Sequence, residues 1–364
     1  WLTYLKVRGS YTEVGNSYGR FMTTVTYPYD EQTQSWTSTS SYPNTKLKPE
    51  RTKSWEVGLD ARILNDISLN LTYYRSNTYN QTFYADLSLS SGYSNIPIQS
   101  GNIMNEGLEM SLGYNKQWKD FSFNTNYTLT WNKNRVKRLA DGVYNYATGQ
   151  PIQMPELSPL TYGHTDARLI LRVGGSMGDV YGQRLLKRDL NGYILNEEGV
   201  GLAMENKETY LGSILPKMNM GWSLGFGYKG VNLGMTFTGR FGGIVISETQ
   251  SVLDAAGVSK VSADVRDAGG VQINQSKVSA QTYYQTIQGT AAYYTYSATN
   301  VRLGELSLSY TLPKKWFDNK VGMTVGLVGK NLWMIYCKAP FDPELTTSAA
   351  SNFYQGFDAY MLPS

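Results

Sequence analysis

The chain has 364 residues, 41% of them hydrophobic and only 17% charged, with 29 Tyr, 36 Gly and a net charge of +4. A disordered chain would be charge-rich and aromatic-poor. No apolar run approaches the roughly 18–20 residues of a spanning helix, one Cys and one His leave no disulfide framework or multi-His metal centre within the chain, and the charge is too mild for a dedicated nucleic-acid binder. What remains is a large soluble β-protein or a β-barrel.

Period-2 alternation marks the elements in chain order. Leu5, Val7, Gly9 and Tyr11 alternate with Lys6, Arg8, Ser10 and Thr12. Trp55, Val57, Leu59, Ala61 and Ile63 follow on one face, then Ile67, Leu69, Leu71 and Tyr73. Next come Leu108, Met110, Leu112 and Tyr114, then Phe121, Phe123, Thr125, Tyr127, Leu129 and Trp131. Later strands carry Trp222, Leu224, Phe226 and Tyr228, then Leu233, Met235 and Phe237. Leu306, Leu308, Tyr310 and Leu312 lead to Val321, Met323, Val325 and Leu327. The opposite faces are mostly Asn, Thr, Ser and Gly. That suits a confined watery lumen, and the apolar face suits lipid, where every backbone group must pair.

Connections alternate in length. Short links are Asn65–Asp66, 116–120, Lys229–Gly230 and 313–320; long ones run over about 13–52, 85–102, 134–215, 247–297 and 338–358. Long loops on one side and short turns on the other form the outer-membrane barrel pattern. Trp55, Trp131, Trp222 and Trp333 fall near the long loops, and Tyr114, Trp118, Tyr228, Tyr310 and Trp316 near the short turns. Phe123 to Trp131 is eight steps, about 20 Å when tilted, close to the ~25 Å apolar band of such barrels. Nine full strands are expected, with residues 360–364 starting a tenth. Because single-chain bacterial barrels normally have an even count, the chain reads as a piece of a larger one.

Several segments resemble one family. Leu47-Lys48-Pro49-Glu50, continued to Trp55-Glu56-Val57-Gly58-Leu59-Asp60, resembles the strand entry of the SusC/RagA family of TonB-dependent outer-membrane transporters. Leu71 to Gln81 and Ser100 to Leu112 resemble its next two strands. Ala298 to Pro313, Val328 to Tyr336, Lys338 to Glu344 and Gly356 to Ser364 resemble its closing region. The resemblance implies an all-β, antiparallel transmembrane β-barrel with long extracellular loops and short periplasmic turns. Residues 1–364 would supply about nine to ten of its roughly 22 strands as a C-terminal portion, with plug and N-terminal domains absent. It implies a Gram-negative outer membrane of Bacteroidetes type, a SusD-like surface lipoprotein as lid, and TonB coupling through the missing N-terminal part. It further implies import of an oligosaccharide or, in some members, a peptide. No cofactor, metal or enzymatic activity is expected.

The loops offer candidate substrate contacts in Trp36, Tyr42, Tyr144, Asn145, Tyr146, Tyr283 and Tyr284, with Tyr293 and Tyr294 beside them. Flat rings stack on sugars and short polar groups bond hydroxyls; the competing reading is loop-on-loop packing. Glu56, Asp60, Arg62, Glu109, Arg240 and Glu305 face the expected lumen, where a salt-bridge network is favoured over a substrate path. Glu56 and Asp60 stand four apart on one strand, about 13 Å between Cα atoms, long for an acid/base pair. Arg188 to Gly199 departs from a calcium loop and reads as a hairpin with a tight Asn191-Gly192 turn. Arg172 to Asp179 is Gly-rich without the pattern of a dinucleotide motif. His164 is expected to be exposed or locally hydrogen-bonded. The rivals to an importer are a passive channel, a surface glycan-binding barrel and a soluble carbohydrate-binding β-sandwich.

Overall fold

The computed structural model describes residues 1–37, 39–99, 101–139, 156–197, 201–344 and 356–359. Nine long strands form one sheet in which every strand pairs with its neighbour in sequence among those nine. They are β1 (Leu2–Asn16), β2 (Glu50–Ile63), β3 (Ile67–Tyr79), β4 (Asn102–Trp118) and β5 (Phe121–Arg138). β6 (Met218–Tyr228), β7 (Val231–Phe241), β8 (Asn300–Thr311) and β9 (Thr324–Cys337) complete it. All eight pairings are antiparallel. The nine expected strands are these nine, most of them longer than their alternation shows. Residues 360–364, read as the start of a tenth, lie outside the described residues.

Register carries the two-faced pattern across the sheet. Val7, Leu59, Leu71, Met110, Leu129 and Met220 stand side by side on six strands. On the other face the same strands align Lys6, Asp60, Asn70, Ser111, Thr128 and Gly221. A one-residue slip would exchange the faces on any strand, so the apolar stripe itself fixes pairing. Charge bounds that stripe at both ends. Arg75, Glu106 and Lys133 share one ladder row immediately beyond Tyr73, Leu108 and Trp131. Beyond Tyr114 at the short-turn end, Lys116 is paired with Asp66. The aromatics at the long-loop end step across the ladder: Trp131 lies opposite Met218, whereas Trp222 lies opposite Tyr127. Tilted barrel strands require such an offset.

Turn chemistry explains the short side. Tyr228 pairs with Val231, leaving Lys229 and Gly230 as a two-residue turn with φ of 46° and 90°, the positive-φ pair that matches strand twist. Glycine also serves close approach on the polar face: a Cβ at Gly107 would stand 2.5 Å from the Tyr74 hydroxyl oxygen. At the long-loop end the entry to β2 is tied down by side-chain amides. Gln99 accepts from the Lys48 N–H and donates to the Lys48 and Asn80 carbonyls, and Asn80 donates to the Pro49 carbonyl.

The long connections are not structureless. Residues 139–217 contain a four-stranded antiparallel sheet of Glu156–Thr161, Arg168–Arg172, Asp179–Leu186 and Met204–Ser213. Residues 242–299 contain α1 (Glu248–Ala255), α2 (Lys260–Asp267) and α3 (Ala280–Ile287). The hydroxyls of Ser247, Ser259 and Ser279 cap the three helices by accepting backbone N–H bonds. Ser247–Gln250 is an S-x-x-Q pattern, the sequence signal that marks a helix start. Together these elements make a cap whose core includes Leu169, Leu171, Val180, Tyr162, Ile246 and Phe357, each at most 2% exposed.

Candidate functional site

The cap is joined to the sheet through the upper end of β5. Val136 exchanges backbone hydrogen bonds with Gly174 and Gly175, each of 2.8 Å, and the Asn134 side chain accepts from the Met177 N–H. The Gly-rich 172–179 segment therefore acts as a docking turn. Asp166 ties two further stretches together: its carboxylate accepts from the N–H groups of Gln183 and Arg184 on one strand and of Ala291. The chain after β9 also returns to the cap. Phe357 and Asp358 pair in parallel with Ile246 and Ser247, the Ser247 hydroxyl donates to Asp358, and the Phe357 ring lies 5.3 Å from that of Tyr162.

At this junction lies a cavity of about 440 Å³. Its walls are Asn132, Lys133 and Asn134 of β5, Ser176, Asp179 and Tyr210, Gly212 and Ser213, Leu215 to Lys217, and Gly242 to Ile244. Asp179 is buried and accepts from the Ser176 N–H at 2.8 Å and the Tyr210 hydroxyl at 3.2 Å. Burial outweighs those two bonds and holds its carboxyl above the usual range. Desolvation and the neighbouring Asp179 push the Tyr210 phenol up to about 12, so it remains a donor at neutral pH. The Tyr210 ring is half-exposed and sits 5.3 Å from the Tyr181 ring. Tyr181 lies beneath Arg172 at 4.5 Å, and Arg172 is held by Glu156 and Glu208. The platform is thus fixed from behind by a cation–π contact and two carboxylates.

The sequence-chosen aromatics lie elsewhere. Trp36 is 71% exposed on a small hairpin, its ring 5.1 Å from Tyr29. Tyr42 is exposed and meets Tyr93 edge-on at 5.1 Å. Tyr283 and Tyr284 sit edge-to-face on α3. The Tyr284 ring is buried with Leu186, Leu202, Ile273 and Tyr294, so it packs the cap; burial raises both phenols. Tyr144, Asn145 and Tyr146 lie outside the described residues. Tyr210 and Asp179 carried no sequence signal of their own. Asp179 ends the Gly-rich segment, and Tyr210 lies in a stretch whose strands were read as loop.

On the polar face Asp60 meets Arg8 at 3.6 Å and accepts from Asn70, while Arg8 donates to Thr72. Arg240 donates to the Ile214 carbonyl, and Glu305 stands opposite Lys330. The favoured ionic network is therefore sparse and local. A tighter cluster holds the 338–344 segment. Arg302, 9% exposed, donates to both carboxylate oxygens of Asp342 at 3.0 and 2.9 Å and lies 3.2 Å from Glu344. Residues 188–194 form the expected hairpin, with Gly192 at φ 85° and the Asp189 carboxylate accepting from Asn191 and Tyr193. The exposed His164 ring places Nδ1 2.9 Å from Glu248.

A sequential antiparallel sheet with a charge-bounded apolar face, a small polar face, short turns at one end and a folded cap at the other defines the wall of an outer-membrane β-barrel. Residues 1–332 match the family described as TonB dependent receptor-like, beta-barrel; the chain belongs to that family, and its place is the outer membrane. TonB-dependent receptor P3 of Formosa agariphila is 25% identical over 100% of this chain and 38% of its own length. SusC of Bacteroides thetaiotaomicron, also a TonB-dependent receptor, is 28% identical over 32% of this chain and 12% of its own. Among solved structures, the RagAB peptide importer in its 'closed-closed' state matches 93% of this chain and 38% of its own with a TM-score of 0.66 at 19% identity, a likeness of fold. The chain spans well under half the length of these relatives.

Proposed function

We propose that this chain is the C-terminal portion of the barrel of an importer that carries a large nutrient across the outer membrane. The nutrient is an oligosaccharide, received between the cap and a SusD-like surface lipoprotein and moved by TonB coupling through parts of the protein outside this chain. The chain itself performs no covalent chemistry. The observation that carries the reading is the cap: the long-loop end of a polar-walled sheet carries a built layer whose core is continuous with the upper ends of β4 and β5 through Ile103 and Val136, a receiving surface rather than an open mouth. Family membership supports energy-coupled import. The sheet supports a larger barrel, because β1 and β9 form its two edges and an edge in lipid must meet further strands. The short polar groups of the cap cavity, Asn132, Asn134, Ser176 and Ser213 beside the ring of Tyr210, lean towards sugar over peptide.

The test is extraction of native membranes in mild detergent, with the mass of every co-purifying chain, followed by oligosaccharide uptake with and without the energy-coupling protein. A parent chain far heavier than 40.8 kDa, a lipoprotein beside it, and uptake lost without coupling are expected. A lone chain of about this mass with uncoupled uptake would make the barrel a passive channel. Uptake of peptides and not of sugars would leave the importer and change its cargo.

A further inference from the structure

We infer that the cavity between β5 and the cap is a subsite for one end of a saccharide, with Tyr210 as its stacking face and Asp179 as its hydroxyl acceptor. The inference rests on the glycan reading above and places its recognition at residues the sequence did not single out. A sugar ring offers a flat patch of C–H groups and a rim of hydroxyls. A site for it needs an aromatic face held in a fixed plane beside short polar groups.

Tyr210 meets the first need. Its ring is 56% exposed, its hydroxyl is anchored on Asp179, and its edge is set by Tyr181. Little rotamer freedom is left to lose on binding, which favours affinity. The second need is met around it. Asp179 is 7% exposed and accepts only two hydrogen bonds from the described residues, fewer than a carboxylate's capacity. Asn132 commits its oxygen to the Tyr74 hydroxyl and keeps its Nδ2 hydrogens. Ser213 adds a hydroxyl and Lys217 an ammonium to the wall. The cavity volume, about 440 Å³, lies in the lower part of the roughly 300–1,000 Å³ range of ligand sites.

The test uses the whole transporter purified with its co-purifying chains, titrated calorimetrically with size-fractionated starch, pectin and fructan oligosaccharides and, separately, with a tryptic casein digest. The variants are Tyr210→Ala, Asp179→Asn and, as a control on an exposed cap tyrosine outside the cavity, Tyr193→Ala. Limited proteolysis checks that each cap stays folded. A glycan that binds the parent protein, binds Tyr210→Ala at least tenfold more weakly and Tyr193→Ala equally well is the expected result. Equal glycan binding by Tyr210→Ala and Asp179→Asn would overturn the subsite while leaving the glycan importer standing. Binding of the casein peptides and of no glycan would overturn both.

Discussion

The sheet and the cap solve burial in opposite ways. In the sheet, large apolar groups such as Val7, Val57, Leu112, Trp222 and Leu308 are exposed, between 42% and 69%. In the cap, Leu169, Leu171, Val180 and Tyr162 are at 0%. The sheet's apolar partner is lipid, so its backbone ladder and its two faces carry the fold. The cap stands in water and needs a packed core, made by segments far apart in sequence and reaching down to Ile103 and Val136 at the upper ends of β4 and β5. The two regions therefore fail to different insults.

The largest effect is expected from a charge in the cap core. Leu171→Asp buries a carboxylate with no partner and should cost about 4 kcal/mol or more of cap stability. Limited proteolysis should then cut within residues 156–213 while the strands of the sheet stay protected. Joint loss of both regions would show that the cap is not a separate cooperative layer. The mirror test puts the charge on the lipid face. Leu71→Arg should destabilise the membrane-inserted barrel by about 2–4 kcal/mol, whereas Asn70→Arg, one residue away on the polar face, should have little effect. Urea unfolding of the full transporter in vesicles separates them, and equal effects would mean the faces are misassigned.

A smaller and more local loss is expected where the two regions are stitched together. Asp342→Ala leaves the buried Arg302 with the contact to Glu344 and two long hydrogen bonds to the Asn300 side-chain oxygen. It should release the 338–344 segment at a cost of about 2 kcal/mol, below the roughly 3–5 kcal/mol for breaking a buried pair, because Glu344 still faces the guanidinium. Amide exchange along that segment reads the loss. Pairing the change with Arg302→Leu should recover part of it, because no buried charge is then left alone.

The sheet was far more legible in the sequence than the cap, for a physical reason. A strand between lipid and lumen repeats one rule every two residues, so Ile67 to Tyr73 or Phe121 to Trp131 declares itself. Cap strands answer to a compact core instead. Leu169-Ile170-Leu171 is a continuous buried run with no alternation to read. The start of α1 is written in Ser247 and Gln250, a signal that an expectation of loops passes over. Aromatic composition is ambiguous for the same reason. Tyr is used in the long connections both as an exposed ring, as in Tyr42, and as core, as in Tyr284, and composition does not separate the two. What set Tyr210 apart was its fixed plane and its buried carboxylate partner, both products of strand pairing between Asp179–Leu186 and Met204–Ser213.

The finest contrast between the regions is electrostatic. The apolar face of the sheet bears its charges at the two ends of the stripe, where water and headgroups solvate them; the cap holds Asp179 away from water. Because burial raises its folded carboxyl above its unfolded value, the native cap binds this proton more tightly than the unfolded chain. The resulting stabilisation is complete below the ordinary carboxylate range and is lost as pH rises through the raised value. Asp179→Asn cannot titrate. The stability of the wild-type cap relative to that variant should therefore fall as pH rises from the ordinary carboxylate range through the raised value, and then level off. Tyr210, pushed up to about 12, stays a phenol throughout, so the slope belongs to Asp179 and not to its partner. Proteolytic protection of residues 179–213 across that window measures it. Parallel curves for the two proteins would mean that water reaches the carboxylate freely and that the cavity wall is no drier than the rim of the sheet.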